Sequence, residues 1–179
     1  MKKIILALLV LLSVGGFSAS AQKFGHLDYL ECLDTLQSYK TAKLKEKEIE
    51  ESAYSMMTEI ENEIRKLSAE YEQNKDVWSS VIRQSKERAL YDLQGSGEQI
   101  QAEYQKNMEV IANRYYVKIN EWFTEAVKIV GMRRSLDYIL YYQEGAFWAN
   151  PERGVNVTNE IITELLKLEL ANPIKEPGQ

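Results

Sequence analysis

The sequence predicts a mainly α chain with a small β-sheet body, an α+β protein in which a long antiparallel helical hairpin arm is rooted in that sheet. Three features point to this. The chain has no proline before Pro151, and 27% of its residues are charged, with Glu, Lys and Gln prominent; such a stretch reads as helix because nothing in it breaks the backbone ladder. Apolar residues recur through it at helical spacing. Runs with strand character sit instead toward its two ends.

The N-terminus comes first. Lys2 and Lys3 precede an apolar run over 4–14, and small residues lead to Ala19-Ser20-Ala21. This pattern predicts a secretory signal peptide over 1–21, cut after Ala21. The run is shorter than the roughly 18 to 20 residues a membrane span needs, and no later segment comes closer, so no stable membrane insertion is expected after cleavage. Gln22 rather than a cysteine follows the cut, so no lipid anchor is expected, and the predicted location is the periplasm.

The body opens over 22–40. Phe24, His26 and Asp28 alternate with Gly25, Leu27 and Tyr29, which predicts a short strand over 23–29, followed by a short helix or turn at about 30–40. The arm is predicted over 41–112. Its outgoing stripe is Ile49, Ala53, Met56, Ile60, Ile64, Leu67, Tyr71, and its return stripe runs from Leu93 through Gly97, Ile100, Tyr104 and Met108 to Ala126. Both step by about 3.67 residues, the hendecad spacing that keeps a two-helix seam nearly straight. A tip near 74–79 gives two arms of equal length, whereas a turn at Gly95-Ser96-Gly97 would not. Gly95 and Gly97 are therefore read as a bendable hinge inside the return helix, since each helical Gly costs on the order of 1 kcal/mol against Ala.

The rest of the body spans 113–170. The return helix broadens its apolar surface through Tyr115, Tyr116, Ile119, Trp122, Phe123, Ala126, Val127 and Val130, which predicts entry into a core before a stop at Gly131. A strand over 136–142, a turn at Glu144-Gly145 and a hairpin partner over 146–149 are predicted next. Thr158 is expected to cap a final amphipathic helix over 158–170, and Pro173 and Pro177 to mark a flexible tail over 171–179.

Composition narrows the chemistry. Without residues 1–21 the chain has 20 basic against 27 acidic residues, a net charge of −7, which gives no electrostatic basis for binding nucleic acid. It contains one cysteine, Cys32, and one histidine, His26. A single thiol forms no intrachain disulfide, and the setting Leu30, Cys32, Leu33, Leu36 suits a buried inert thiol better than a bridge between chains. No catalytic residues are assigned, because every Ser/His/Asp or Cys/His site would have to use His26. Gly95-Ser96-Gly97 lacks the lysine of a phosphate-binding loop, so no nucleotide or other cofactor is expected. Glu46, Glu50, Glu59 and Glu63 share helical faces, but with Lys43, Lys47 and Arg65 beside them they read as a solvated surface and not as metal ligands. Asn156-Val157-Thr158 fits a glycosylation sequon and is read as structural.

The order of parts resembles the Skp/OmpH-like periplasmic chaperones of outer-membrane proteins from Phe24 to about Leu168. The residues that carry it are Phe24-Gly25-His26-Leu27-Asp28, with His26 in an aromatic place, then the arms, Asp137-Tyr138-Ile139-Leu140, Ala146-Phe147-Trp148-Ala149-Asn150-Pro151, and Val157-Thr158-Asn159-Glu160-Ile161-Ile162. The resemblance implies a non-enzymatic, ATP-independent holdase. It further implies a homotrimer whose sheets join into a hub, and a cavity between three arms that holds unfolded outer-membrane proteins. A three-stranded sheet with two open edges supports association independently. Phe24, Leu27, Tyr138, Leu140, Tyr142, Phe147 and Trp148 are the expected body and trimer core. One departure is charge: family arms are basic, whereas 41–111 here hold ten Lys/Arg against fifteen Asp/Glu, so attraction to lipopolysaccharide is not implied.

For client contact the expected residues are Trp78, Val77, Tyr71, Met56, Met57 and Ile82, with Trp78 open to a second reading as local packing that closes the tip. A structural coiled-coil adaptor that binds one folded envelope partner through the same hairpin is the alternative function. The two differ in promiscuity.

Overall fold

The computed structural model describes residues 22–142, 148–150 and 154–175. Strand β1 (Phe24–Asp28) leads into helix α1 (Tyr29–Thr35) and then the long helix α2 (Gln37–Asn74). Helix α3 (Ser80–Ile111) returns beside it, a π-helical turn (Ala112–Tyr116) follows, and α4 (Val117–Arg134) runs on into the body. Strands β2 (Tyr138–Tyr142) and β3 (Val155–Asn156) and helix α5 (Thr158–Ala171) complete it.

The sheet order is β2, β1, β3, and both outer strands run parallel to β1. Phe24 pairs with Tyr138 and Asp28 with Tyr142 on one side, and His26 pairs with Asn156 on the other. Parallel neighbours need a crossover that leaves the sheet and comes back. Between β1 and β2 that crossover comprises α1, the entire arm and α4.

The strand expected over 136–142 is thus paired in parallel with β1, and the turn of the hairpin expected after it falls outside the described residues. The strand begins at Tyr138, because Leu136 is spent on ending α4: its N–H donates to the Gly131 carbonyl at 2.9 Å while Ser135 sits left-handed at φ 51°. The helix therefore stops at Arg134 and not at Gly131. Glu144, Gly145, Ala146 and Phe147 lie outside the described residues. Trp148 and Ala149 carry no strand, and the third strand is Val155–Asn156. Both hydrogen-bonding edges of β1 are thereby taken within one chain.

Helices α1, α4 and α5 cover one face of the sheet. Leu27 from β1, Cys32 and Leu33 from α1, Ile119, Trp122, Phe123, Ala126 and Val130 from α4, and Ile161 and Leu165 from α5 are buried together. Each fully buried Leu, Ile or Val contributes roughly 1.5 to 3 kcal/mol, so stability resides in the body. Gly25 belongs to this face, where a Cβ would meet Leu136 Cδ1 at 2.7 Å. The end of α4 is bonded to α5 by Arg133 with Glu164 at 2.5 Å and Arg134 with Glu160 at 2.5 Å. Hydrogen bonds from these arginines hold both carboxyls below the ordinary carboxylate range.

Thr158 differs from its expected capping role. Its hydroxyl accepts from Asp28 N at 3.0 Å and donates to Asn156 Oδ1 at 2.7 Å, and Asn156 Oδ1 also takes the Thr158 N–H at 2.9 Å. The N-cap position, Val157, offers no side-chain bond; Asn156 takes the first helical N–H instead, and Thr158 ties α5 to β1. Asp28 in turn caps α1 by accepting from Glu31 N at 2.9 Å.

The arm starts earlier than residue 41. Leu36 provides no side-chain cap, but Glu169 of α5 accepts from Ser38 N at 2.7 Å and Gln37 N at 3.3 Å, so α2 begins at Gln37. At the other end of the chain, where a flexible tail over 171–179 was expected, α5 continues to Ala171 and Ile174 packs on the core.

Candidate binding surface

A two-helix arm has a seam but no third element to cover it. Ala42 and Ile111 are buried at its root, and between them no residue is fully buried. Ile49, Ala53, Met57, Ile60, Ile64, Leu67 and Tyr71 are half-buried on α2, as are Leu93, Gly97, Ile100 and Tyr104 on α3. The seam thus shifts slightly from the predicted stripe. Met57 is the methionine turned to the partner helix, with its Sδ 3.7 Å from where a Cβ on Gly97 would lie, and Met56 stands 41% exposed beside it. Gly95 faces open space, and α3 runs through both glycines without interruption. The irregular backbone of the return helix lies further on, in the π-helical turn.

The tip is built from residues 75–79. Lys75 N and Trp78 N bond to the carbonyls of Tyr71 and Asn74 at 2.8 and 3.1 Å, Arg83 Nη1 donates to Lys75 O at 3.2 Å, and Ser79 Oγ accepts from Ile82 N at 3.4 Å to start α3. Trp78 is half-buried. It packs edge-to-face on Tyr71 with ring centroids 6.1 Å apart, and Lys86 Nζ lies 5.6 Å over its ring. Tyr71 also donates to Glu87, and Lys86 bonds Glu70 at 2.8 Å. Of the six residues singled out for contact, Tyr71 and Trp78 therefore close the tip, whereas Val77 and Ile82 are exposed, Val77 by 80%. Val81, Tyr54 and Tyr91 are exposed as well and were missed, because each lies off the apolar stripe that the periodicity follows.

At the root, the π-helical turn brings Tyr116 to Tyr39, ring centroids 6.2 Å apart, and to a hydrogen bond with Glu46. Burial, reinforced by Glu46, pushes the Tyr116 hydroxyl above its ordinary range. Burial alone would raise the Glu46 carboxyl, but hydrogen bonds from Lys43, at 2.7 Å, and Tyr116 hold it low.

The body offers a second surface. Leu27 is in the core, but Phe24, Tyr138, Leu140 and Trp148 are between 40% and 77% exposed, on the side of the sheet that the helices leave open. Of the residues expected in the body and trimer core, Leu27 is thus buried within one chain, whereas the β1 alternation turns Phe24 and His26 outward. Phe24 stacks on Tyr138 at 5.4 Å. A concavity of about 760 Å³ lies beside them, lined among others by His26, Leu140, Trp148 and Val155. Tyr142 ends β2, and Phe147 is outside the described residues.

Among the described residues no group of His, Cys, Asp or Glu is arranged to hold a metal, and no helix is long and apolar enough to cross a membrane. Cys32 is buried against the Thr158 carbonyl, and burial, then the charges of Glu31 and Asp28, push its thiol up to about 12.

A family model for outer membrane proteins of the OmpH-like type matches residues 23–165, both the arm and the body. The chain belongs to this OmpH-like family. Compared by sequence with curated proteins, it matches none. Among solved structures, the OmpH-like chain is similar to an OmpH-like protein from Caulobacter crescentus that carries the name of an outer membrane chaperone. The TM-score is 0.56 at 12% identity, over 87% of this chain and 88% of that one. At that identity the likeness is one of fold, and it extends over the hairpin as well as the body.

Proposed function

We propose that this OmpH-like protein is a periplasmic holdase chaperone that keeps unfolded outer-membrane proteins from aggregating without ATP. The observation that carries this reading is the arm's uncovered seam. Helix α2 alone has 38 residues, about 57 Å at 1.5 Å per residue, and along nearly all of it apolar side chains are half-open to solvent. Each apolar contact made there supplies only about 1 to 3 kcal/mol, so binding is the sum of many weak, exchangeable contacts with no requirement for a particular sequence. Release then needs no fuel, because folding of the client into the outer membrane withdraws it from the equilibrium.

In this reading three chains associate through the open sheet face at Phe24, Tyr138, Leu140 and Trp148, and the arms enclose a cavity for one client. A signal peptide over 1–21 delivers the chain to the periplasm. The chain acts by binding and shielding, with no catalytic step. The reading is supported by the family, by the exposed apolar sheet face and by the arm.

The test is dilution of a urea-unfolded outer-membrane β-barrel protein into buffer containing the mature chain, with aggregation followed by light scattering. Protection that saturates near one client per three chains is expected. Absence of protection at any excess would favour an adaptor for one folded partner, and a monomeric mass at micromolar concentration would remove the trimer.

A further inference from the structure

Charge is unevenly distributed along the arm. Stretch 48–64 of α2 lies against 91–107 of α3, a register set by Met57 facing Gly97 and by Ile49 sharing a groove with Tyr104. These two stretches hold nine carboxylates and a single cation, Lys106, a net charge of −8. The root differs, with four lysines in 37–47 and 108–111 against Glu46 and Glu109, and so does the tip, where 65–90 hold six cations and four carboxylates. The arm is an acidic band between two weakly basic ends.

Within the band a groove of about 200 Å³ opens between the helices, floored by Ile49, Ala53, Met56, Ile100 and Tyr104 and rimmed by Glu48 and Glu103. Three cations of the arm are engaged with other carboxylates: Lys43 with Glu46, Lys47 with Glu51 and Lys86 with Glu70. A polypeptide segment suits this geometry when an aromatic or long aliphatic side chain enters the groove and a neighbouring Lys or Arg lays its stem on the apolar floor with its charge at the rim. An acidic flank would meet like charge within a few ångströms.

We propose that the acidic band selects, among unfolded exported chains, segments whose aromatic or aliphatic residues are flanked by Lys or Arg. This rests on the holdase reading and adds a charge preference to it.

Two labelled peptides with identical Leu and Tyr residues, flanked in one by lysines and in the other by glutamates, test this by fluorescence anisotropy against the full mature chain. At low ionic strength the lysine-flanked peptide is expected to bind about ten-fold tighter, and the ratio should approach one near 1 M salt, where charges are screened beyond about 3 Å. The double variant Glu48→Gln with Glu103→Gln should cut the ratio several-fold, whereas Glu72→Gln at the tip should leave it unchanged. Both rim residues are exposed, and circular dichroism confirms that the variants fold. Equal binding of the two peptides, or a preference untouched by the double variant, overturns the proposal. If the peptides bind equally and an unfolded outer-membrane protein is still protected, the holdase reading stands without the selectivity; if no unfolded chain is held, both fall.

Discussion

Glu169, near the end of α5, caps the first helix of the arm: its Oε1 accepts from Ser38 N at 2.7 Å, across 131 residues of sequence. The carboxylate satisfies one of the N-terminal donors that α2 cannot satisfy locally, and its charge sits at the favourable end of the helix dipole. Glu169→Ala should cost about 0.5 to 2 kcal/mol in chemical denaturation, while Glu169→Gln, which keeps an acceptor, should cost less. Hydrogen exchange should quicken first at Gln37 and Ser38.

Trp78 and Val77 are neighbours with different expected behaviour. Trp78→Ala removes the ring packed on Tyr71 and under Lys86 and should loosen the tip locally by about 1 to 2 kcal/mol. Faster exchange over 71–83 with an almost unchanged melting temperature of the body is the expected signature. Val77→Ser with Val81→Ser should leave that exchange alone and weaken capture of an unfolded client.

Gly95 and Gly97 can each accept a methyl group, since a Cβ at Gly95 has open space and one at Gly97 makes ordinary contact with Met57 Sδ at 3.7 Å. Replacing both with Ala should stiffen α3 and stabilise it by roughly 0.5 to 1 kcal/mol per site. If the glycines serve arm bending, the double variant holds a narrower size range of clients, measured as binding stoichiometry across precursors of increasing length. An unchanged range would place the bending elsewhere, with the π-helical turn at 112–116 the next position to alter.

Cys32 should resist thiol reagents in the native protein at pH 8 and react within seconds in denaturant, because burial keeps it protonated. The folded state holds this proton more tightly than the unfolded chain. That contribution to stability is fully present below the ordinary thiol value of 9.0 and is lost as pH rises toward about 12. Cys32→Ala should flatten this part of the stability profile, which thermal melts between pH 8 and pH 11 would read.

Much of the arm was legible in sequence because a helix is a local object. The spacing of Ile60, Ile64, Leu67 and Tyr71 reports which residues share a face, and a seam of two helices needs no information from afar. The tip between Asn74 and Ser80 follows from the equal lengths of the two arms. Legibility failed where a partner far along the chain intervened. Helix α2 starts at Gln37 because Glu169 caps it. Thr158 bonds Asp28, and Asn156 takes the first N–H of α5. The β-rich run at 138–142 carries a local turn signal behind it, and so reads as half of a hairpin, although its hydrogen bonds go to Phe24–Asp28.

Composition, charge and periodicity determined that this chain is helical, acidic and two-stranded along the arm, since each of those depends on residues within a few turns of one another. Tertiary structure decided the parallel register of the sheet, the exposure of Phe24, Tyr138 and Leu140, and the half-open seam. Those depend on which distant groups compete for the same hydrogen bonds and the same buried space. With β1 flanked on both sides and three helices on one face, the other face is left open within one chain.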